Sequence, residues 1–185
     1  MSKIQHTVLF KFPDLDEASE NKDEMDMIVK KFDSLEGISA KFAKGEGSDG
    51  WTHCLFVIAD TSEALKAYLH HDYHLKEWMN AVKPFGKGII VFDSELAEEN
   101  FRQPIFHFVF SVAKCTHCPK ATVKPHLGSD FLASVNWPDK AGGFTYLLSA
   151  AFPDSATHKS FVESSDYASW LSSCTSPLVS FSCSF

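Results

Sequence analysis

The sequence predicts an α+β protein made of two successive β-α-β-β-α-β units. Three observations carry this. Strand-like and helix-like periodicities follow one another in that order over residues 4–92. A second series of similar residues begins near residue 105. Hydrophobic residues make up 44% of the chain and include 17 Phe, enough to build a substantial core and far from a disordered composition.

Ile4, His6, Val8, Phe10 and Phe12 alternate with Gln5, Thr7, Leu9 and Lys11, the period of two expected of a strand with one mainly buried face. Pro13-Asp14 ends it. Met25, Ile28, Val29, Phe32 and Leu35 recur at helical spacing among Glu, Asp and Lys, and Gly37 stops that helix. Residues 40–44 predict a short strand, 45–50 a turn, and 51–58 a strongly β-prone strand. Asp60-Thr61-Ser62-Glu63 has the spacing of a capping box, with Asp60 as the cap. The helix it opens runs through Leu65, Tyr68, Leu69, Leu75 and Met79 and breaks at Lys83-Pro84. A final strand spans 88–92. This is the split unit of ferredoxin-like folds.

The second series keeps the order of the first. Ile105, His107 and Val109 match Ile4, His6 and Val8, and Gly143-Phe144-Thr145 matches Gly50-Trp51-Thr52. Asp154 follows as Asp60 does, Asp166-Tyr167 matches Asp72-Tyr73, and Val179-Ser180-Phe181 falls near Ile90-Val91-Phe92. We therefore expect a tandem duplication, with units at 1–98 and 104–185 joined by a polar linker over 97–103. The second unit has diverged. Pro119, Pro125 and Gly128 predict a short helix or a loop where the first unit has its first helix, and Phe131, Ala133, Val135 and Trp137 alternate like a strand. At the positions of Tyr68, His71 and His74 it carries Val162, Ser165 and Ala168, which predicts a scaffold role.

Charge and composition exclude several partners. A net charge of -7 and a pI near 5.7 exclude a nucleic-acid backbone, which needs clustered Lys and Arg. No apolar run approaches the roughly 20 residues that span a bilayer, and the first residues do not resemble a secretory signal. Five cysteines without framework spacing suit a reducing compartment, so a soluble, cytoplasmic protein is expected. Gly45-Glu46-Gly47 lies between strands and does not open a helix, so it is no phosphate loop. His70 and His74 lack a third metal ligand, and Cys115-Thr116-His117-Cys118 lacks a second cysteine pair, with His126 the one candidate downstream. No metal and no cofactor are expected.

The first unit resembles the stress-responsive dimeric α/β-barrel family. The resemblance rests on His6-x-Val8-x-Phe10-Lys11, Trp51-Thr52-His53, Tyr68-x-x-His71-x-x-His74, Pro84 and Val91-Phe92-Asp93, and covers nearly all of residues 4–96. Asp72 stands where the family usually has a proline, which predicts altered helix geometry beside His74. Family members pair their sheets face to face in a homodimer, so the resemblance implies an intramolecular pseudo-dimer here, with further self-association left open. Some members bind magnesium through backbone carbonyls, which leaves no side-chain signature. In olivetolic acid cyclase-type members, which close a polyketide by cofactor-independent aldol chemistry, the Tyr and the last His of this motif are catalytic. The resemblance thus implies Tyr68 and His74 as catalytic residues and His6 and His53 as pocket residues.

The residues themselves permit that chemistry. A neutral imidazole takes a proton near cellular pH, and a tyrosine hydroxyl stabilises an enolate. On one helix Tyr68 and His74 would be nearly two turns apart, with His71 three residues from each and able to hold a tautomer. The plainer readings are that Tyr68 is core and that His6 and His107 make an inherited structural hydrogen bond. Two functions follow. The first is a stress-associated protein with a pocket for a small apolar, aromatic or polyketide-like compound, with His74 as base, Tyr68 as oxyanion partner and His6, His53 and His71 lining the site. The second is a non-enzymatic protein acting through protein contacts. An open cavity reaching His74 would favour the first.

Overall fold

The computed structural model describes residues 3–96, 104–111, 126–129, 146–174 and 178–185. The first half runs β1 (Lys3–Lys11), α1 (Glu20–Asp33), β2 (Ile38–Gly47), β3 (His53–Ala59), α2 (Ser62–His70), a π-helical turn (Tyr73–Trp78), α3 (Met79–Val82) and β4 (Gly88–Leu96). The second half has β5 (Ile105–Ser111), β6 (His126–Ser129), β7 (Tyr146–Phe152), α4 (Ser155–Val162), α5 (Ser165–Ser173) and β8 (Leu178–Ser184). The expected linker, the Cys115/Cys118 segment and the strand predicted around Phe131 to Trp137 lie outside the described residues.

Eight strands form one antiparallel sheet in the order β4-β1-β3-β2-β8-β5-β7-β6. Within each half the order is the same, last strand, first, third, second. The halves join where Gly45 and Gly47 of β2 pair with Cys183 and Phe181 of β8. The edge strands β4 and β6 approach each other, so the sheet curls into a barrel. Two ferredoxin-like units thus form an intramolecular dimeric α/β barrel, the predicted fold class.

Alternation along each strand sorts side chains between two faces. On β1, Ile4, Val8 and Phe10 face the helices, where they pack with Met25, Phe32 and Tyr68. Leu9 faces the barrel interior with Phe56 and Phe92, and meets Phe106, Phe108, Phe110 and Phe181 from the second half. Phe56 and Phe106 rings lie 4.7 Å apart, and Phe92 and Phe110 meet edge to face at 5.9 Å. Each buried ring contributes about 1.5–3 kcal/mol. A third core, around Val109, Phe152, Phe161 and Trp170, backs the second half with α4 and α5. Cys54 and Cys183 also lie buried as thiols in the interior. Burial, and the Cys183 sulfur beside it, push the Cys54 thiol well above its ordinary value, so it stays protonated and inert.

Local chemistry explains the helix ends. Ser19 caps α1 by accepting from Lys22 N–H. Gly37 follows that helix at φ 71°, a left-handed conformation glycine tolerates best. The cap of α2 is Thr61, accepting from Ala64 N–H at 3.1 Å, and not Asp60 as the capping-box spacing suggested. Asp60 is engaged instead by Lys3 at 2.8 Å. The predicted single helix through Tyr68 and His74 is broken. α2 ends at His70, His71 is extended at ψ 144°, and a π-helical turn begins at Tyr73. Strands β2 and β4 run longer than the periodicity suggested, because pairing with β8 and β1 extends them.

A side chain at Gly45 would place its Cβ 2.2 Å from the Ser182 carbonyl oxygen and 2.5 Å from the Phe181 ring. Gly45→Ala should therefore destabilise the protein by roughly 1–3 kcal/mol in urea unfolding. Gly86→Ala meets its nearest atom only at 3.6 Å and should change little. Equal stability of the two variants would contradict close packing at the seam.

Candidate active site

The helix-facing side of the first half holds a buried polar cluster in an otherwise apolar layer. β1 presents His6 directly opposite Asp93 of β4, and His6 Nδ1–H donates to Asp93 Oδ1 at 2.8 Å. That bond fixes the tautomer and leaves Nε2 as an acceptor. His6 Nε2, Asp93 Oδ2 and the Tyr68 hydroxyl are all buried without a hydrogen-bond partner. Three such atoms on adjoining side chains are costly for folding, at roughly 1–3 kcal/mol each. Burial, and then the Asp93 carboxylate, push the Tyr68 hydroxyl above its ordinary value, so it remains a proton donor.

Tyr68 is the hub of this cluster. Its ring meets His6 at 5.8 Å, Phe32 at 5.0 Å and His74 at 4.9 Å. The π-helical turn brings His74 there despite the break at His71. His74 Nδ1–H donates to the Leu69 carbonyl at 3.1 Å, which makes Nε2 the acceptor. Tyr68 also lines an open cleft of ≈ 510 Å³ between α2 and the α1–β2 turn, together with Leu35, Ile38, Thr61, Ala64 and His71. Glu36, Asp60 and Glu63 contribute carboxylates to it. A smaller hollow of ≈ 250 Å³ shares Gly37, Ile38 and Asp60 and reaches Lys3. His71 Nδ1 accepts from Tyr73 N–H at 3.2 Å, so its neutral ring carries the proton on Nε2, a donor for a ligand oxygen. It does not hold the His74 tautomer; the Leu69 carbonyl does.

The five site residues read from the sequence do not all meet. Tyr68, His74 and His6 adjoin one another, and His71 joins Tyr68 at the cleft, although His74 and His6 are not among the cleft-lining residues. His53 lies on the same face of the neighbouring strand but four residues beyond Val57, the residue opposite His6, about 13 Å along β3. Its imidazole is bonded to Glu17 at 2.7 Å and Thr52 at 2.8 Å and stacks on Phe42. Burial lowers its pKa, with Glu17 opposing, so it reads as a packed core histidine. Asp93 was missed. It belongs to the Val91-Phe92-Asp93 motif, but 87 residues separate it from His6, and only strand register reveals the pair. Among the described residues no three His, Cys, Asp or Glu side chains converge as metal ligands, and no helix is long and apolar enough to cross a membrane.

The second half repeats the register with different chemistry. His107 sits opposite Ser182 as His6 sits opposite Asp93, and its Nδ1 lies 2.6 Å from Ser182 Oγ. Its Nε2 lies 2.5 Å from the hydroxyl of Tyr167, which reaches it from α5. Both strand histidines therefore make side-chain hydrogen bonds, and in the second half a tyrosine also reaches the histidine although Val162 stands at the position aligned with Tyr68. Burial, with His158 nearby, lowers the His107 pKa to about 3.

A family model described as the stress responsive A/B barrel domain (Dabb) matches residues 4–96. Solved structures resemble the whole chain at low identity. An anthrone oxidase-like protein gives a TM-score of 0.61 at 9% identity, covering 100% of this chain and 91% of that one. A candidate monooxygenase of Fusobacterium nucleatum gives 0.58 at 11%, covering 100% and 93%. Another from Lactobacillus acidophilus gives 0.53 at 8%, covering 99% and 93%. At such identities the likeness is one of fold. No curated protein matches the sequence.

The buried, neutral His107 sets a pH dependence. Its folded pKa of about 3 lies below the unfolded 6.5, so its contribution is intact above pH 6.5. As pH falls from 6.5 toward 3, the unfolded chain takes up a proton that the folded chain refuses, and stability declines by at most about 1.4 kcal/mol per pH unit. His107→Gln should flatten the stability profile across that window relative to wild type, measured by urea unfolding between pH 4 and 7. Parallel profiles would show that His107 titrates normally in the fold.

Proposed function

This chain belongs to the stress responsive A/B barrel domain family, and on that premise we propose that its first half is a small-molecule site for cofactor-independent acid–base chemistry. The observation that carries the reading is Tyr68. It is at once a wall of the ≈ 510 Å³ cleft and the neighbour of His74 and His6, in a cluster with three unpartnered buried polar atoms. A site that leaves such atoms unpaired is prepared for a polar ligand group.

The roles follow from tautomers and charge. His74, with Nδ1–H on the Leu69 carbonyl, lies behind the Tyr68 ring and not on the cleft wall, and serves as the base for a ligand whose carbonyl end reaches past that ring. Tyr68 stays protonated and donates to the oxygen on which negative charge then develops. His6, oriented by Asp93, offers a second acceptor for a substrate hydroxyl, and His71 donates from the cleft. Glu36, Asp60 and Glu63 in the cleft disfavour an anionic ligand. The expected ligand is neutral, with an apolar or aromatic body and a ketone or enol oxygen, as in polyketide-like compounds. The fold relatives described as anthrone oxidase-like and monooxygenase agree with such a substrate class only by analogy.

We further infer that the second half is a diverged tandem copy with the boundary near 98–104. Identical strand order in the halves and the matched His6–Asp93 and His107–Ser182 registers support this. A protein-contact function has one observation of its own, the exposed Met27, Leu75, Met79 and Ile89.

A thermal-shift series with neutral aromatic ketones and phenols tests the site. A compound at about 100 times its Kd should stabilise wild type by roughly 2.7 kcal/mol. Tyr68→Phe and His71→Ala should weaken that shift, and His53→Ala, away from the cluster, should leave it largely intact. No shift with any compound, or a shift indifferent to Tyr68 and His71, would favour protein contacts instead.

A further inference from the structure

The second half contains a hydrogen-bonded chain of four side chains outside the proposed cleft. Tyr167 of α5 meets His107 Nε2 at 2.5 Å, His107 Nδ1 meets Ser182 Oγ at 2.6 Å, and Ser182 Oγ meets His158 Nε2 of α4 at 3.2 Å. Tyr167 and His107 are buried, whereas Ser182 and His158 are half-buried and so within reach of a small molecule.

Donor counting orients the chain. The Tyr167 hydroxyl has no other acceptor among the described residues, so it donates to His107 Nε2. The His107 proton then sits on Nδ1 and is donated to Ser182 Oγ, and the Ser182 hydroxyl donates to His158 Nε2. The opposite orientation would leave the buried Tyr167 proton without a partner, at a cost of about 1–3 kcal/mol. In the favoured orientation one imidazole donates to the serine oxygen while a second stands ready to accept its proton. The first stabilises a developing alkoxide and the second is a general base. Burial keeps both imidazoles neutral at cellular pH. The first half cannot do this, because Asp93 occupies the register position of Ser182.

We propose that Ser182 is an activated nucleophile, with His158 as its general base, His107 as the donor to its oxygen and Tyr167 as the positioning residue. The substrate class is a small carboxylic ester. Ser182 Oγ bonds to the acyl carbon and its proton passes to His158 Nε2. The carbon–oxygen bond to the alcohol breaks, and the leaving alkoxide takes that proton from His158. Water then attacks the acyl carbon, gives its proton to His158, and the proton returns to Ser182 as the acid departs.

The test uses the full chain and a fluorophosphonate probe, which forms a serine ester with loss of fluoride. Intact mass and peptide mapping should find one adduct, on Ser182. Ser182→Ala should abolish it, and His158→Asn should slow it by roughly a hundredfold. Tyr167→Phe, which leaves His107 in place but removes the donor to its Nε2, should slow it less than His158→Asn does. Ser180→Ala, on the same strand, should label normally. Absence of a wild-type adduct, an adduct elsewhere, or undiminished labelling in folded His158→Asn would each overturn the proposal. The wild-type map decides the matter even if a variant fails to fold.

Discussion

A four-stranded sheet with apolar side chains on both faces has to be covered twice, and the rest of this structure depends on that constraint. Helices cover one face of each half, around Phe32 and Tyr68 in the first and Phe161 and Trp170 in the second. The other face of each sheet is covered by the opposite half, through Phe56, Phe92, Phe106, Phe108 and Phe181. Carrying both halves in one chain makes this interior an intramolecular contact, so its formation does not depend on protein concentration. The seam at Gly45 and Gly47, where no side chain fits, lets the backbones approach closely enough to continue the sheet.

The same layering positions the chemistry. Because strand residues alternate, His6 and His107 necessarily face the helices while their neighbours fill the barrel. Each histidine is then bonded to whatever side chain the adjacent last strand presents, a carboxylate in one half and a hydroxyl in the other. A serine in place of the carboxylate at that register position, together with His158 on α4 where the first half has Ala64, separates an oriented imidazole in the first half from a serine held between two imidazoles in the second. The halves share a frame and differ in what that frame can do.

Much of this was legible in the sequence. The alternation at Ile4 to Phe12 and the helical spacing of Met25 to Phe32 located β1 and α1, and the order of elements identified the split β-α-β-β-α-β unit. Tyr68, His74 and His6 were legible as a group from the resemblance. What periodicity could not see was set by tertiary contacts. The break at His71 leaves the apolar spacing of Tyr68 and Met79 nearly unchanged, so the pattern reads as one helix. The Asp93 and Ser182 partners are 87 and 75 residues from their histidines. Tyr167 was aligned with Tyr73, yet it takes up the contact to the strand histidine that Tyr68 makes in the first half. His53 misled because its type and strand were right while its place along the strand was not.

The most direct test of the proposed first-half site is proton exchange at carbon, which needs no knowledge of a natural substrate. Benzoylacetone in deuterated buffer loses its methylene proton signal at a rate that one-dimensional NMR follows. Wild type should accelerate that loss above the buffer rate, and both His74→Ala and Tyr68→Phe should reduce the acceleration by roughly a hundredfold. Exchange at the buffer rate, or acceleration retained in both folded variants, would mean that the cluster around Tyr68 is structural and that this half performs no acid–base chemistry.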